Sequence, residues 1–119
     1  MHEVGLIRAV VDTVTGYCRE NHVTEVSEIL LQIGELSLVI PDYVKKIYPA
    51  VVKGSILEHA ELLIEIVPGM AECNDCDEIF NVVEHKGYCP NCGSFDKEVL
   101  SGRDFLIKEL HVPEPRPDP

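Results

Sequence analysis

Four of the five cysteines stand at a spacing that makes one metal site. Cys73-Asn-Asp-Cys76 is followed, after twelve residues, by Cys89-Pro-Asn-Cys92-Gly93. A Cys-x-x-Cys turn aims two sulfurs at one point. A hairpin between two such turns brings the points together into a closed, tetrahedral four-cysteine site. Four thiolates leave no open coordination position, so Cys73, Cys76, Cys89 and Cys92 are expected to hold a structural Zn(II) and not a catalytic one. Iron in a rubredoxin-like site uses the same ligands and is the main competitor. Two separate redox pairs would call for a strand–helix unit beside them, which this stretch lacks. Gly93 lets the backbone turn under the sulfurs. The fifth thiol, Cys18, falls on an apolar helical stripe and reads as a small buried hydrophobe. Zinc ribbons occur in many protein classes, so this site does not by itself give a function.

A second constellation stands at the start, Met1-His2-Glu3. Many chains begin with a Met-His that binds nothing, and a lone surface histidine is usually just solvated. The geometry nevertheless permits a chelate. His2 is bulky, so the initiator Met1 is retained and its amine lies beside an imidazole. The Met1 amine and the His2 amide nitrogen close a five-membered ring, the Glu3 amide extends it, and the His2 Nδ1 fills a fourth place. Four nitrogens in a plane suit Ni(II) or Cu(II) and do not suit zinc. The Glu3 carboxylate can add an axial ligand or orient the imidazole. The other histidines have plainer readings. His22 ends the first helix, His59 and His111 lie near strand ends, and His85 sits on a hairpin between the cysteine pairs.

The elements that must position these groups follow from apolar periodicity. Val4, Ile7, Val10, Val11, Val14, Tyr17 and Cys18 recur at helical spacing, giving a helix over 4–18. Residues 26–38 alternate as a strand with a bend at Gly34. A second helix begins near Pro41 and Asp42, carries Pro49 as an expected kink, and stops at Gly54. Residues 61–67 form a second strand, closed by Pro68-Gly69. A third strand is expected within 103–112, returning to pair with the first two. The fold class is therefore α+β: a small domain of two helices and a three-stranded mixed sheet, with an inserted four-cysteine zinc ribbon. The domains expected are 1–69 plus 103–112, and 70–102. Residues 113–119, with four prolines in seven, form a disordered tail.

Composition narrows the class. The chain has 119 residues and a formal net charge of −11, which opposes binding to a phosphate backbone. No nucleic-acid partner is expected. The apolar runs are only a few residues long, such as Ile29-Leu30-Leu31, against the ~20 needed for a spanning helix, so no membrane partner is expected either. The start has no basic stretch ahead of an apolar one and does not read as a signal peptide, which points to a cytoplasmic chain. There is no nucleophile elbow, phosphate-binding glycine loop or open zinc motif, so an enzyme is not expected.

The order of several short motifs resembles the HypA/HybF nickel-incorporation family of hydrogenase maturation. They are Met1-His2-Glu3-Val4 leading into a helix, Gln32-Ile33-Gly34-Glu35-Leu36-Ser37, Ala60-Glu61-Leu62, Cys89-Pro-Asn-Cys92-Gly-Ser, and Ser101-Gly102-Arg103 before Ile107-Lys108-Glu109-Leu110. The resemblance covers nearly the whole chain. It implies a nickel metallochaperone, with Met1, His2 and Glu3 as the nickel site and the four cysteines as the zinc site. Ni(II) would be transient cargo and Zn(II) a structural cofactor. It also implies a HypB-type GTPase and the [NiFe]-hydrogenase large subunit as partners, with urease served by some relatives, and a monomer or weak homodimer. The competing function is a zinc-ribbon adaptor or regulator without nickel transfer, which a His2 substitution would leave unaffected. An iron-based electron carrier is a third class, told apart by its colour.

Overall fold

The computed structural model describes residues 2–113. The Met1 ligand and the disordered tail expected over 113–119, from residue 114 onward, lie outside the described residues. The elements are α1 (His2–Glu20), β1 (Glu28–Gly34), α2 (Pro41–Val51), β2 (Glu61–Val67), β3 (Met70–Cys73), β4 (Ile79–Asn81), β5 (Lys97–Val99) and β6 (Phe105–His111).

Helix α1 is longer at both ends than its apolar stripe required. Ile7, Val10, Val14 and Cys18 are its buried residues, at the spacing of one helical face. Tyr17 is exposed and Val4 and Val11 are half-buried, so the buried stripe is narrower than the apolar spacing suggests. The helix is closed by backbone geometry. His22 takes φ 57, and the Val23 N–H reaches back to the Cys18 carbonyl at 2.8 Å. That is a Schellman closure with a non-glycine residue in the left-handed position.

Helix α2 starts on Pro41, whose missing N–H costs nothing at a first helical position. Pro49 lies in its last turn, and the helix ends two residues later, before the expected stop at Gly54. The Tyr48 hydroxyl donates to the Ala60 carbonyl at 3.2 Å and the Leu57 carbonyl at 3.4 Å, tying α2 to the approach to β2. Helices α1 and α2 pack on each other.

Strands β2, β1 and β6 form one sheet in that order. The Glu61 N–H donates to the Ser27 carbonyl and the Glu35 N–H to the Val67 carbonyl, so β1 and β2 run parallel with α2 as their crossover. The Ser27 N–H donates to the His111 carbonyl and the Gly34 N–H to the Asp104 carbonyl, so β6 runs antiparallel to β1. The sheet is thus mixed. Two expectations are corrected. Strand β1 stops at Gly34 and not Leu38, because the chain turns there, with the Ser37 N–H donating back to the Gly34 carbonyl. Strand β6 pairs with β1 alone, on the side away from β2. Ile29, Leu31 and Ile33 alternate inward along β1 and are fully buried.

The chain divides into two compact units. Among the described residues one comprises 2–31, 40–64 and 107–113; the other comprises Gln32–Val39 and Glu65–Leu106. In the second unit β4, β3 and β5 form an antiparallel sheet in that order, with Ala71 opposite both Phe80 and Val99. Its buried centre is Ala71, Cys73, Phe80 and Cys89, flanked by Cys76, Val82 and Val99.

Candidate metal centre

Two copies of one turn present the four thiols. In the first, the Asp77 N–H donates to the Cys73 carbonyl at 3.0 Å, the Cys73 N–H to the Glu78 carbonyl at 2.8 Å, and the Asp75 N–H to the Cys73 Sγ at 3.4 Å. In the second, the Gly93 N–H donates to the Cys89 carbonyl at 2.9 Å, the Cys89 N–H to the Ser94 carbonyl at 2.9 Å, and the Asn91 N–H to the Cys89 Sγ at 3.4 Å. Each turn closes on a left-handed residue just after its second cysteine, Asp77 at φ 63 and Gly93 at φ 77. Gly93 is legible in the sequence as a turn residue. Asp77 holds the same place after its own pair, but an aspartate carries no comparable signal.

The turns face each other. The Asn74 Nδ2 donates to Asp96 Oδ1 at 3.0 Å and the Asn74 N–H to the Asp96 carbonyl at 3.0 Å. The Ser94 hydroxyl donates to the Asp75 carboxylate. Beyond the second turn the Phe95 ring lies 5.1 Å from the Tyr88 ring, and the Lys97 Nζ stands 3.4 Å from the Phe95 centroid. Gly87 takes φ 87, and a Cβ there would lie 2.6 Å from Phe95.

All four sulfurs lie within 4.8 Å of one another, with Cys73 to Cys92 and Cys76 to Cys89 each at 3.5 Å. A tetrahedral ion with metal–sulfur bonds of ~2.3 Å sets its sulfurs ~3.8 Å apart. The 3.5 Å separations are close to that value and exceed a disulfide's ~2.05 Å by far. The donor set therefore fits one four-coordinate thiophilic ion. Cys73 and Cys89 are buried, Cys76 is half-buried and Cys92 is exposed. Their acidities differ. Cys76 is lowered to about 7, chiefly by a hydrogen bond from Asn91 and then by the Glu78 backbone. Cys92 is pulled down by the Ser94 backbone, but the Cys73 thiol, burial and the Cys76 and Cys89 thiols together outweigh that and raise it to about 12. The helpers Asn91, Glu78 and Ser94 carry no signal in the cysteine spacing.

His2 and Glu3 open α1, His2 exposed and Glu3 half-buried. His85 stacks edge-on to Phe80 at 6.2 Å, inside the cysteine module. Among the described residues the four cysteines are the only group of three or more ligating side chains that could hold an ion.

Comparison with known proteins decides the family. Residues 1–112 match the family model described as hydrogenase/urease nickel incorporation, metallochaperone, hypA. The chain belongs to the HypA family. Relatives named hydrogenase maturation factor HypA include that of Geotalea uraniireducens, 38% identical over 94% of this chain and 99% of its own. That of Actinobacillus succinogenes is 33% identical over the same shares. The fold is that of a solution structure of the Ni metallochaperone HypA from Helicobacter pylori, with a TM-score of 0.65 and 18% identity. The match covers 92% of this chain and 96% of that one. A second HypA solution structure gives a TM-score of 0.67 at 21% identity, over 94% of this chain and 96% of that one. The family's part in nickel incorporation and hydrogenase maturation is thereby this chain's class, and no described helix is long and apolar enough to cross a membrane.

Proposed function

We propose that this chain is a cytoplasmic nickel carrier, and not a catalyst. It takes Ni(II) at Met1, His2 and Glu3 and delivers it to the [NiFe]-hydrogenase large subunit in concert with a HypB-type GTPase. The observation that carries this reading is the family match, which begins at residue 1 and so includes the amino-terminal triad. The start of α1 supports it. The helix begins at His2, and the first amides of a helix have no intrahelical acceptor. The His2 and Glu3 nitrogens are thus not committed to the helix, and binding nickel through them breaks no helical hydrogen bond.

The four cysteines hold a structural Zn(II) in this reading, supported by the closed four-thiolate set, and residues 70–102 act as a zinc domain carried by 1–69 and 103–112. Metal analysis of the purified protein tests the ion: one zinc per chain and no visible absorption are expected, whereas iron would colour it. The nickel site is tested by calorimetric titration of two proteins that differ only in which end carries a Gly-Ser extension. An amino-terminal extension converts the Met1 amine to an amide and should abolish tight binding, and His2→Ala should behave likewise. A carboxyl-terminal extension should be harmless. Equal affinities at both ends would refute the amine chelate.

A further inference from the structure

Two linkers join the metal-binding sheet to the rest of its unit, and both run through glycine. Such linkers ordinarily swivel. Here the glycines serve close approach instead. A Cβ on Gly34 would overlap the Gly102 carbonyl, and one on Gly102, at φ +91, would lie 2.6 Å from the Gly69 Cα and 2.7 Å from the Pro68 oxygen. Three backbone segments therefore touch, all within the unit of Gln32–Val39 and Glu65–Leu106. The Leu36 N–H donates to the Gly102 carbonyl at 2.7 Å, and the Ser101 hydroxyl to the Pro68 carbonyl at 2.9 Å.

One side chain spans the joint. The Glu35 Oε1 accepts from the Gly69 N–H at 3.0 Å and from the Asn81 Nδ2 at 3.0 Å. Gly69 immediately precedes β3, and Asn81 is the β4 residue paired with Met70, the first of β3. Asn81 is itself held by its Oδ1, which accepts the Glu84 N–H at 2.8 Å. A single oxygen thus grips both strands of the β3–β4 pair at their root. Strand β3 runs from that root to Cys73, the first of the clustered thiols. The Gly69 and Asn81 donors also hold the Glu35 carboxyl below its ordinary range, as expected of a carboxylate engaged by two N–H groups.

We infer that Glu35 is a positioning residue for nickel delivery, a latch that fixes the β3–β4 root to the end of β1 and so holds the metal-binding module in one orientation there. The inference rests on the nickel-carrier reading above. A carrier docks productively only in the fraction of molecules with the correct arrangement, and releasing the latch lowers that fraction.

The test uses the full chain, loaded with zinc, as wild type, Glu35→Ala, Glu35→Gln and Asn81→Ala. Gly69 amide exchange is read by NMR, zinc per chain by metal analysis, and transfer of Ni(II) to nickel-free hydrogenase large subunit by recovered nickel. Glu35→Ala should speed Gly69 exchange at least about fivefold. Zinc content and Ni(II) affinity should not move, and transfer should slow. Glu35→Gln keeps an oxygen that can accept both bonds and should restore most of the protection and the transfer rate. Asn81→Ala should speed Gly69 exchange less than Glu35→Ala, because the Gly69 bond to Glu35 remains. Unchanged Gly69 exchange in Glu35→Ala would overturn the latch. So would Glu35→Gln failing as completely as Glu35→Ala. A transfer rate that ignores the change in exchange would overturn the positioning role. A wild type that transfers no nickel would instead refute the carrier reading, and the exchange data would still decide the latch.

Discussion

Asp77 and Gly93 do the same task with different side chains, and the difference is measurable. Each sits just past the second cysteine of its turn with φ in the left-handed region. Nothing lies within 4 Å of where a Gly93 Cβ would stand, so the cost of a side chain there is torsional and not steric. Gly93→Ala should therefore destabilise the zinc-loaded module by about 1 kcal/mol. Asp77→Gly should be close to neutral, since relief of the Cβ offsets the entropy that glycine adds to the unfolded chain. Asp77→Val, branched at Cβ, should cost at least as much as Gly93→Ala. Thermal unfolding of the three zinc-loaded variants checks the order, and Asp77→Gly as the worst of them would contradict the two-turn description. Metal uptake by the four thiols should also weaken in acid, because bound thiolates carry no protons.

At the scale of elements, Tyr48 ties a helix end to a strand and leaves a pH signature. Burial raises its hydroxyl from 10.0 to about 12, while that hydroxyl donates to the Leu57 and Ala60 carbonyls. The unfolded tyrosine ionises first as pH rises. Between about 10 and about 12 the unfolded state binds fewer protons than the folded one, so stability is full below pH 10 and falls across that window. Tyr48→Phe should remove this part of the alkaline loss. It should cost about 1 kcal/mol at neutral pH, since two carbonyls lose a donor. Denaturant midpoints of both proteins at about pH 7 and about pH 11, on either side of the tyrosine's ordinary range, supply the comparison. Parallel losses would show that Tyr48 does not drive the alkaline limb.

For the whole molecule, the division into two compact units predicts a divided response to metal. The buried centre of the second unit is small, and two of its four residues, Cys73 and Cys89, belong to the thiol cluster. Removing the ion takes away much of what orders such a module. Complete chelation, or Cys92→Ser, should strip amide protection from β3, β4 and β5. Helix α1 should keep its own, because Ile7, Val10, Val14 and Cys18 are buried on a helix that packs on α2. Hydrogen exchange with and without chelator measures this directly. Protection lost equally in α1 would show that the chain unfolds as one body, and protection retained in β3 would show that the ion is not what holds the module.

Features set by local spacing can be read along the chain without its fold. Two Cys-x-x-Cys turns name four ligands because a turn's geometry depends only on its own residues. The helical state of α1 and the bounds of β2 follow from apolar periodicity, which a single element carries whole, although only Ile7, Val10, Val14 and Cys18 of the apolar positions in α1 are fully buried. Other features depend on residues far apart in the chain, and folding alone settles them. Strand β6 could have lain beside either earlier strand, and its own alternation does not choose; hydrogen bonds from Ser27 and Gly34 place it next to β1. Strand β1 stops at Gly34 where the Gly102 backbone approaches, a contact no window around Gly34 contains. In the sequence Glu35 is one residue of the strand expected over 26–38, with nothing to set it apart. Only the folded chain brings Gly69 and Asn81, 34 and 46 residues away, to one of its oxygens. Periodicity records which face of an element is buried, whereas a hydrogen bond between distant polar groups leaves no periodic trace, because either partner alone is well solvated.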